Sequence, residues 1–163
     1  MACADDLDRA YLKMAHVWAQ LSKARRKKVG CLIVKGGMII SDGFNGTPKG
    51  FDNQCEQMYS GRIPCLVTKT EVLHAESNAI TKLAKSTQSS EGATIYITCS
   101  PCVECAKLII QAGIKRLVYG EIYKNVDGLT LLSIAGISIA SIGEDGSAEP
   151  WPRQISSFET EFI

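Results

Sequence analysis

His74, Cys102 and Cys105 are the residues of this chain whose types and spacing suit a metal ion, and Glu76 stands two positions from the first of them. A catalytic zinc needs three protein ligands and a fourth position left for water. The segments His74-Ala75-Glu76 and Pro101-Cys102-Val103-Glu104-Cys105 supply one imidazole and two thiolates. Zinc lowers the pKa of bound water from 15.7 to about 7. Glu76 is then expected to take the water's proton, pass it to the substrate and help a leaving group depart. A purely structural zinc would need a fourth ligand, for which Cys99 is the nearest candidate in sequence. Cys99, however, ends the apolar run Ala93–Cys99, where a small buried thiol is a usual occupant. A closed site would also leave Glu76 without a role. A redox Cys-x-x-Cys pair would leave the His-x-Glu segment unexplained.

The elements that must position these residues alternate between helix and strand. Asp5 and Asp6 can cap a first helix in which Leu7, Ala10, Met14, Val17, Trp18 and Leu21 recur at helical spacing. The basic run Lys23–Lys28 leads into an apolar strand, Val29–Val34, and Gly36-Gly37 turns it into a second strand, Met38–Ser41. From Asn45 to about Lys69 the pattern is irregular, and such stretches in compact domains tend to carry function. A helix over His74–Lys85, a strand over Ala93–Cys99 and a helix over Cys102–Ala112 follow, the last with Pro101 at its start and Gly113 at its end. Ile114–Gly120, Leu129–Ala135 and Ile137–Ile142 read as strand, helix and strand. The tail from Gly143, with Pro150, Trp151 and Pro152, carries no assignable pattern. These expectations put His74 and Glu76 on the first turn of one helix and Cys102 and Cys105 on the first turn of another. Positions three apart share a helix face, so the two thiols can grip one ion. Both helix N-termini favour thiolate at the site. The expected fold is α/β: one domain over residues 1–163, with a mixed sheet of about five strands and helices on both faces.

Composition bounds the function. A chain of 163 residues is one domain with room for a sizeable core. A net charge of +1, from 18 basic and 17 acidic residues, and 7% aromatics argue against a polynucleotide footprint. No apolar run reaches the length of a membrane span, and Met1–Arg9 carries acids instead of an apolar core, so no signal peptide is expected. Seven cysteines, two of them in a metal-type pair, suit a reducing compartment, and a cytoplasmic setting is expected.

The His-x-Glu and Pro-Cys-x-x-Cys segments, in this order, are the signature of zinc deaminases acting on cytosine or adenine. Further blocks extend the likeness: Val29-Gly30-Cys31, Gly43-Phe44-Asn45-Gly46-Thr47-Pro48, Asn78-Ala79-Ile80, Ser100 through Lys107, and Gly113 through Tyr119. Over roughly residues 5 to 140 the chain resembles the cytidine and deoxycytidylate deaminase superfamily, and within it the deoxycytidylate (dCMP) deaminases most closely. The resemblance implies a three-layer α/β/α cytidine deaminase-like fold, one catalytic zinc, and hydrolysis of dCMP to dUMP and ammonia as a supply of thymidylate precursor. It further implies a homohexamer, activated by dCTP with magnesium and inhibited by dTTP at a separate site. By the same resemblance Asn45 is expected to hydrogen-bond the sugar, although an Asn before Gly is also a common turn residue. Ser100 is expected near the base, and Tyr123 and Lys124 near the 5′-phosphate. Arg25, Arg26, Lys27 and Lys28 are candidates for a triphosphate effector, against the plainer possibility of a solvated basic turn. Some phage relatives carry a second, structural zinc. Here Cys55 sits in a comparable loop position and Cys65 lies nine residues before His74, but two cysteines are too few to close a site. Cys3 and Cys31 read as a terminal thiol and a buried strand residue.

Two other functions remain open at this level. A tRNA or single-stranded DNA deaminase could share the zinc core, and would show tight binding to labelled single strands. A catalytically silent nucleotide-binding regulator would have no need of the Glu76 carboxylate.

Overall fold

The computed structural model describes residues 4–143 and 147–151; the Cys3 thiol and Pro152 lie outside the described residues. Helix α1 (Ala4–Ala19) leads to the hairpin of β1 (Gly30–Lys35) and β2 (Met38–Phe44). Gly36 and Gly37 turn that hairpin at φ 57° and 77°, the left-handed pair that a two-residue hairpin of matching twist requires. A separate two-stranded hairpin, β3 (Glu56–Tyr59) and β4 (Cys65–Thr68), follows, then α2 (Ala75–Leu83), β5 (Thr94–Cys99), α3 (Val103–Gln111), β6 (Arg116–Glu121), α4 (Asp127–Ile134), β7 (Ser138–Ile142) and β8 (Ala148–Pro150).

The main sheet runs β2-β1-β5-β6-β7-β8. Strands β5, β6 and β7 are parallel, and β1, β2 and β8 join them antiparallel, so the sheet is mixed. The α/β expectation holds. All five expected strands lie in this sheet, and β8 makes a sixth at its edge. The difference has a local cause: β8 is three exposed residues ending in proline, with no apolar alternation to mark it. Trp151, just past β8, donates its backbone N–H to Ile139 and packs its ring against the core.

Alternation along the strands sends their side chains to two cores. Cys31, Ile33, Ile95, Ile97, Leu117 and Ile139 meet α2, α3 and α4 on one face. Leu32, Val34, Tyr96, Val118 and Ile142 meet α1 alone on the other. The α1 stripe that stands out in the sequence is not the buried one. Asp8, Leu12, Ala15 and Ala19 face the sheet, whereas Leu7, Ala10, Met14, Val17 and Leu21 are exposed, and only Trp18 of that set packs inward. The buried aspartate explains the register. Asp8 accepts hydrogen bonds from the Tyr96 hydroxyl at 2.7 Å and from both Arg116 terminal nitrogens at 2.8 and 2.5 Å. Burial, the largest single influence, pushes the Asp8 carboxyl up, but Arg116 and Tyr96 together outweigh it and hold the group below its ordinary value. Among the described residues no helix is long and apolar enough to cross a membrane.

Candidate active site

His74 and Cys102 are not first-turn residues but the N-caps of α2 and α3, with nearly the same extended backbone (φ −72°, ψ 159° and φ −72°, ψ 169°). Each carbonyl accepts the first intrahelical bond, from Asn78 N–H at 3.0 Å and Ala106 N–H at 2.9 Å, while neither side chain caps its helix. Both side chains are therefore released toward the space between the two helix starts. Cys105, on the first turn of α3, completes the set. The two sulfurs lie 3.5 Å (Cys102) and 3.4 Å (Cys105) from His74 Nδ1, and the three donor atoms all fall within 4.8 Å of one another.

A tetrahedral zinc with bonds of about 2.0–2.3 Å needs donors spaced in this range, and one imidazole with two thiolates is a set that zinc favours. The residues fit the metal. Among the described residues these three form the one group of metal-ligating type, and Cys99 is not part of it, which leaves a fourth position for water. The Cys102 thiol is lowered to about 3, first by the hydrogen bond from Cys105 and then by His74, so a thiolate is ready at the site. Hydrogen bonding to Cys102 in turn raises the His74 imidazole and, with burial, the Cys105 thiol.

Glu76, on the first turn of α2, is only 4% exposed, and burial pushes its carboxyl above the ordinary range. Tight packing sets the position of both ligand-bearing helices. A Cβ on Gly43 of β2 would lie 2.1 Å from the Ala75 carbonyl oxygen, and one on Gly128 of α4 would lie 2.1 Å from that of Pro101. Only glycine lets α2 and the start of α3 come so close. Asn78 adds a tie, donating its side-chain N–H to the Phe44 carbonyl at 3.0 Å.

A cavity of about 450 Å³ opens above the donors, with His74, Glu76, Cys99 and Cys102 at its base. Of the candidates read from the sequence, Asn45, Ser100, Tyr123, Lys124, Arg26 and Lys27 line it, and Arg25 and Lys28 do not. The basic stretch thus opens in part onto this cavity. Asn45 clamps that stretch: its Oδ1 accepts from Val29 N–H at 2.8 Å and its Nδ2 donates to the Lys27 carbonyl at 2.9 Å. One N–H and one lone pair of its amide remain for a ligand. The Ser100 hydroxyl accepts from Tyr123 N–H at 2.8 Å and anchors the loop after β6, where Lys124 stands 5.6 Å over the Tyr123 ring. Lys27 pairs with Glu121 at 3.0 Å; burial alone would lower its ammonium, but that carboxylate raises it overall.

Glu56 and Thr68 also line the cavity and belong to the β3–β4 hairpin, inside the stretch that reads as irregular. The Glu56 carboxylate accepts the backbone N–H groups of Arg25 and Arg26 at 3.1–3.2 Å, and Thr68 accepts from the Arg26 guanidinium at 3.2 Å. The short runs Glu56–Tyr59 and Cys65–Thr68 on either side of Gly61 and Pro64 were the available signal. Cys55, before β3, is buried, and Cys65, at the start of β4, is exposed.

Two N-cap donors and one helical donor, a buried carboxylate beside them and a cation-bearing cavity make a site that could hold a metal ion and move a proton. Residues 5–121 match the family described as the cytidine and deoxycytidylate deaminase zinc-binding region. The deoxycytidylate deaminase of Enterobacteria phage T4 is 37% identical over 169 residues, an alignment covering 80% of this chain and 87% of the phage protein. The human deoxycytidylate deaminase is 35% identical over 135 residues, covering 78% of this chain and 75% of its own. The crystal structure of dCMP deaminase from cyanophage S-TIM5, in complex with dCMP and dUMP, is similar at a TM-score of 0.78 and 38% identity, covering 86% of this chain and 99% of that one. The chain belongs to the cytidine and deoxycytidylate deaminase family.

Proposed function

We propose that this protein is a zinc-dependent dCMP deaminase, converting dCMP and water to dUMP and ammonia. The observation that carries the reading is the placement of Glu76. A carboxyl buried beside three metal donors, at the base of a cavity with cations along its walls, suits proton transfer to a small anionic substrate. The similarity to deoxycytidylate deaminases, including one solved with dCMP and dUMP, supports the choice of nucleotide.

His74, Cys102 and Cys105 would hold the zinc. When bound, the metal supplies Lewis acidity and lowers the pKa of the attacking water. Glu76 takes the water's proton as oxygen adds to C4 of cytosine. It delivers that proton to N3, then takes the proton of the new C4 hydroxyl and passes it to the departing amine, so ammonia leaves and the carbonyl forms. The cations Arg26, Lys27 and Lys124 are suited to the 5′-phosphate. Asn45, through its remaining amide valences, and Ser100, at the cavity wall, orient sugar and base, with Tyr123 flanking the phosphate. Activation by dCTP with magnesium, inhibition by dTTP and assembly as a homohexamer rest on the family resemblance. For an effector site, the exposed cations Arg25 and Lys28, outside the cavity lining, are the available charges. A free-nucleotide substrate is consistent with a cytoplasmic location, in a host cell if the chain is viral.

Ammonia release by zinc-loaded protein, offered dCMP, deoxycytidine, CMP and dCTP in turn, tests the reading. Turnover of dCMP above the other three supports it. No turnover of any free nucleotide, with zinc bound, overturns it and directs attention to labelled single-stranded RNA and DNA.

A further inference from the structure

A cavity that takes an anion is expected to carry cations, and this one does, but it also carries acids that the proton transfer leaves unused. Among the described residues, Glu56 is the one carboxylate of the lining besides Glu76. Both of its oxygens accept the Arg25 N–H at 3.1 Å, and one accepts the Arg26 N–H at 3.2 Å. These bonds fix the carboxylate against the stretch that carries Arg26, whose guanidinium donates to the Thr68 hydroxyl at 3.2 Å. Glu121, at the end of β6, stands 3.0 Å from the ammonium of Lys27, the next cation of the lining. Arg26, Lys27 and Lys124 are thus set among two carboxylates. A neutral amide oxygen could accept the Arg25 and Arg26 N–H groups as well. The hydrogen bonds therefore account for an acceptor at position 56 and not for its charge.

We infer that Glu56 and Glu121 determine specificity by limiting the negative charge that the cavity accepts, so that a nucleoside 5′-monophosphate enters and its di- and triphosphates are turned away. The inference rests on the deaminase reading above and adds the residues that set the number of phosphates. A phosphate monoester carries about −1.5 to −2 charges at neutral pH, which suits three cations already partly compensated. Each further phosphate brings more negative charge beside carboxylates held by their own hydrogen bonds and ion pair. Across a partly solvated rim, repulsion of one added charge is worth about 5-fold in affinity for each carboxylate.

The test offers dCMP, dCDP and deoxycytidine to the zinc-loaded full chain and to Glu56→Gln, Glu121→Gln and the double variant. The diphosphate is chosen because dCTP is expected to act as an effector as well. Glutamine removes the charge at position 56 and keeps an acceptor for the two N–H groups. The wild type should prefer dCMP to dCDP. The ratio of kcat/KM for dCDP to that for dCMP should rise about 5-fold in each single variant and about 25-fold in the double. The gap between wild type and variants should narrow in about 0.5 M salt. Deoxycytidine, without a phosphate, should gain nothing. Carboxylates with only a structural role would depress all three substrates together, and an unmoved ratio overturns the inference. A wild type that turns over dCDP as fast as dCMP overturns it too, while leaving the deaminase reading in place. Turnover of none of the three by the wild type removes that reading, and this inference with it.

Discussion

Gly43→Ala should disable the site without touching any residue in it. A Cβ at position 43 would stand 2.1 Å from the Ala75 carbonyl oxygen, 2.7 Å from the Ala79 nitrogen and 3.1 Å from the Ala79 methyl. Backbone cannot rotate away as a side chain can, so α2 must move off β2 by about 1 Å, at an overpacking cost of about 1–3 kcal/mol. His74 and Glu76 start that helix and move with it. A misplacement of about 1 Å in catalytic groups can cost about 100-fold in rate. Gly30→Ala is the matched control. Its Cβ would lie 2.0 Å from the Ala15 carbonyl oxygen and 2.6 Å from the Ala19 nitrogen, an equal collision, but with α1 on the other face of the sheet. The assay is dCMP turnover and zinc content of both variants, with urea denaturation to compare their stabilities. Expected are similar losses of stability, kcat within a few-fold of wild type for Gly30→Ala, and a loss of about 100-fold or more for Gly43→Ala. Equal catalytic losses, or full activity in Gly43→Ala, would refute the view that glycine contact depth positions the ligands.

Other outcomes follow from the same contacts. Asn45→Ala strips the partners from Val29 N–H and the Lys27 carbonyl; the basic stretch should loosen, raising KM for dCMP about 10-fold with a smaller change in kcat, at a stability cost of about 1–3 kcal/mol. Steady-state kinetics with dCMP separates the two constants. Asp8 is held below its ordinary value, so the unfolded chain binds its proton first: the stabilisation is complete above the unfolded pKa of about 3.9 and is lost as pH falls through the lower folded value. Asp8→Asn should therefore cost about 1–2 kcal/mol at neutral pH, since Arg116 is partly solvated, and converge on wild type in strong acid. Urea denaturation at pH 7 and near pH 3 measures this, and metal loss in acid affects both proteins alike.

Much of this chemistry was legible because it is local. His-x-Glu and Pro-Cys-x-x-Cys carry their spacing with them, and Gly113, at φ 73°, follows the end of α3 as its type predicts, whereas Pro101 lies before the Cys102 N-cap and not at the first helical position. Residues that meet across the fold were harder to read. Glu56 reaches the cavity only because a short hairpin folds over the basic stretch, a pairing that no single run announces. In α1 the most apolar stripe lies outside, because an Asp8–Arg116–Tyr96 network and two alanines hold the inner face. Hydrophobicity alone would rank that inner face second. His74 and Cys102 sit at the N-cap positions of α2 and α3, one residue before the expected first turns.

The central claim is that Glu76 moves the protons while His74, Cys102 and Cys105 hold the zinc. The most direct test measures metal content and dCMP-to-dUMP conversion in parallel for the wild type and Glu76→Gln. The account predicts one zinc per chain in both, conversion by the wild type, and a loss of about 1000-fold or more in Glu76→Gln, within the range of a removed acid–base group. Conversion near the wild-type rate by zinc-loaded Glu76→Gln would contradict it.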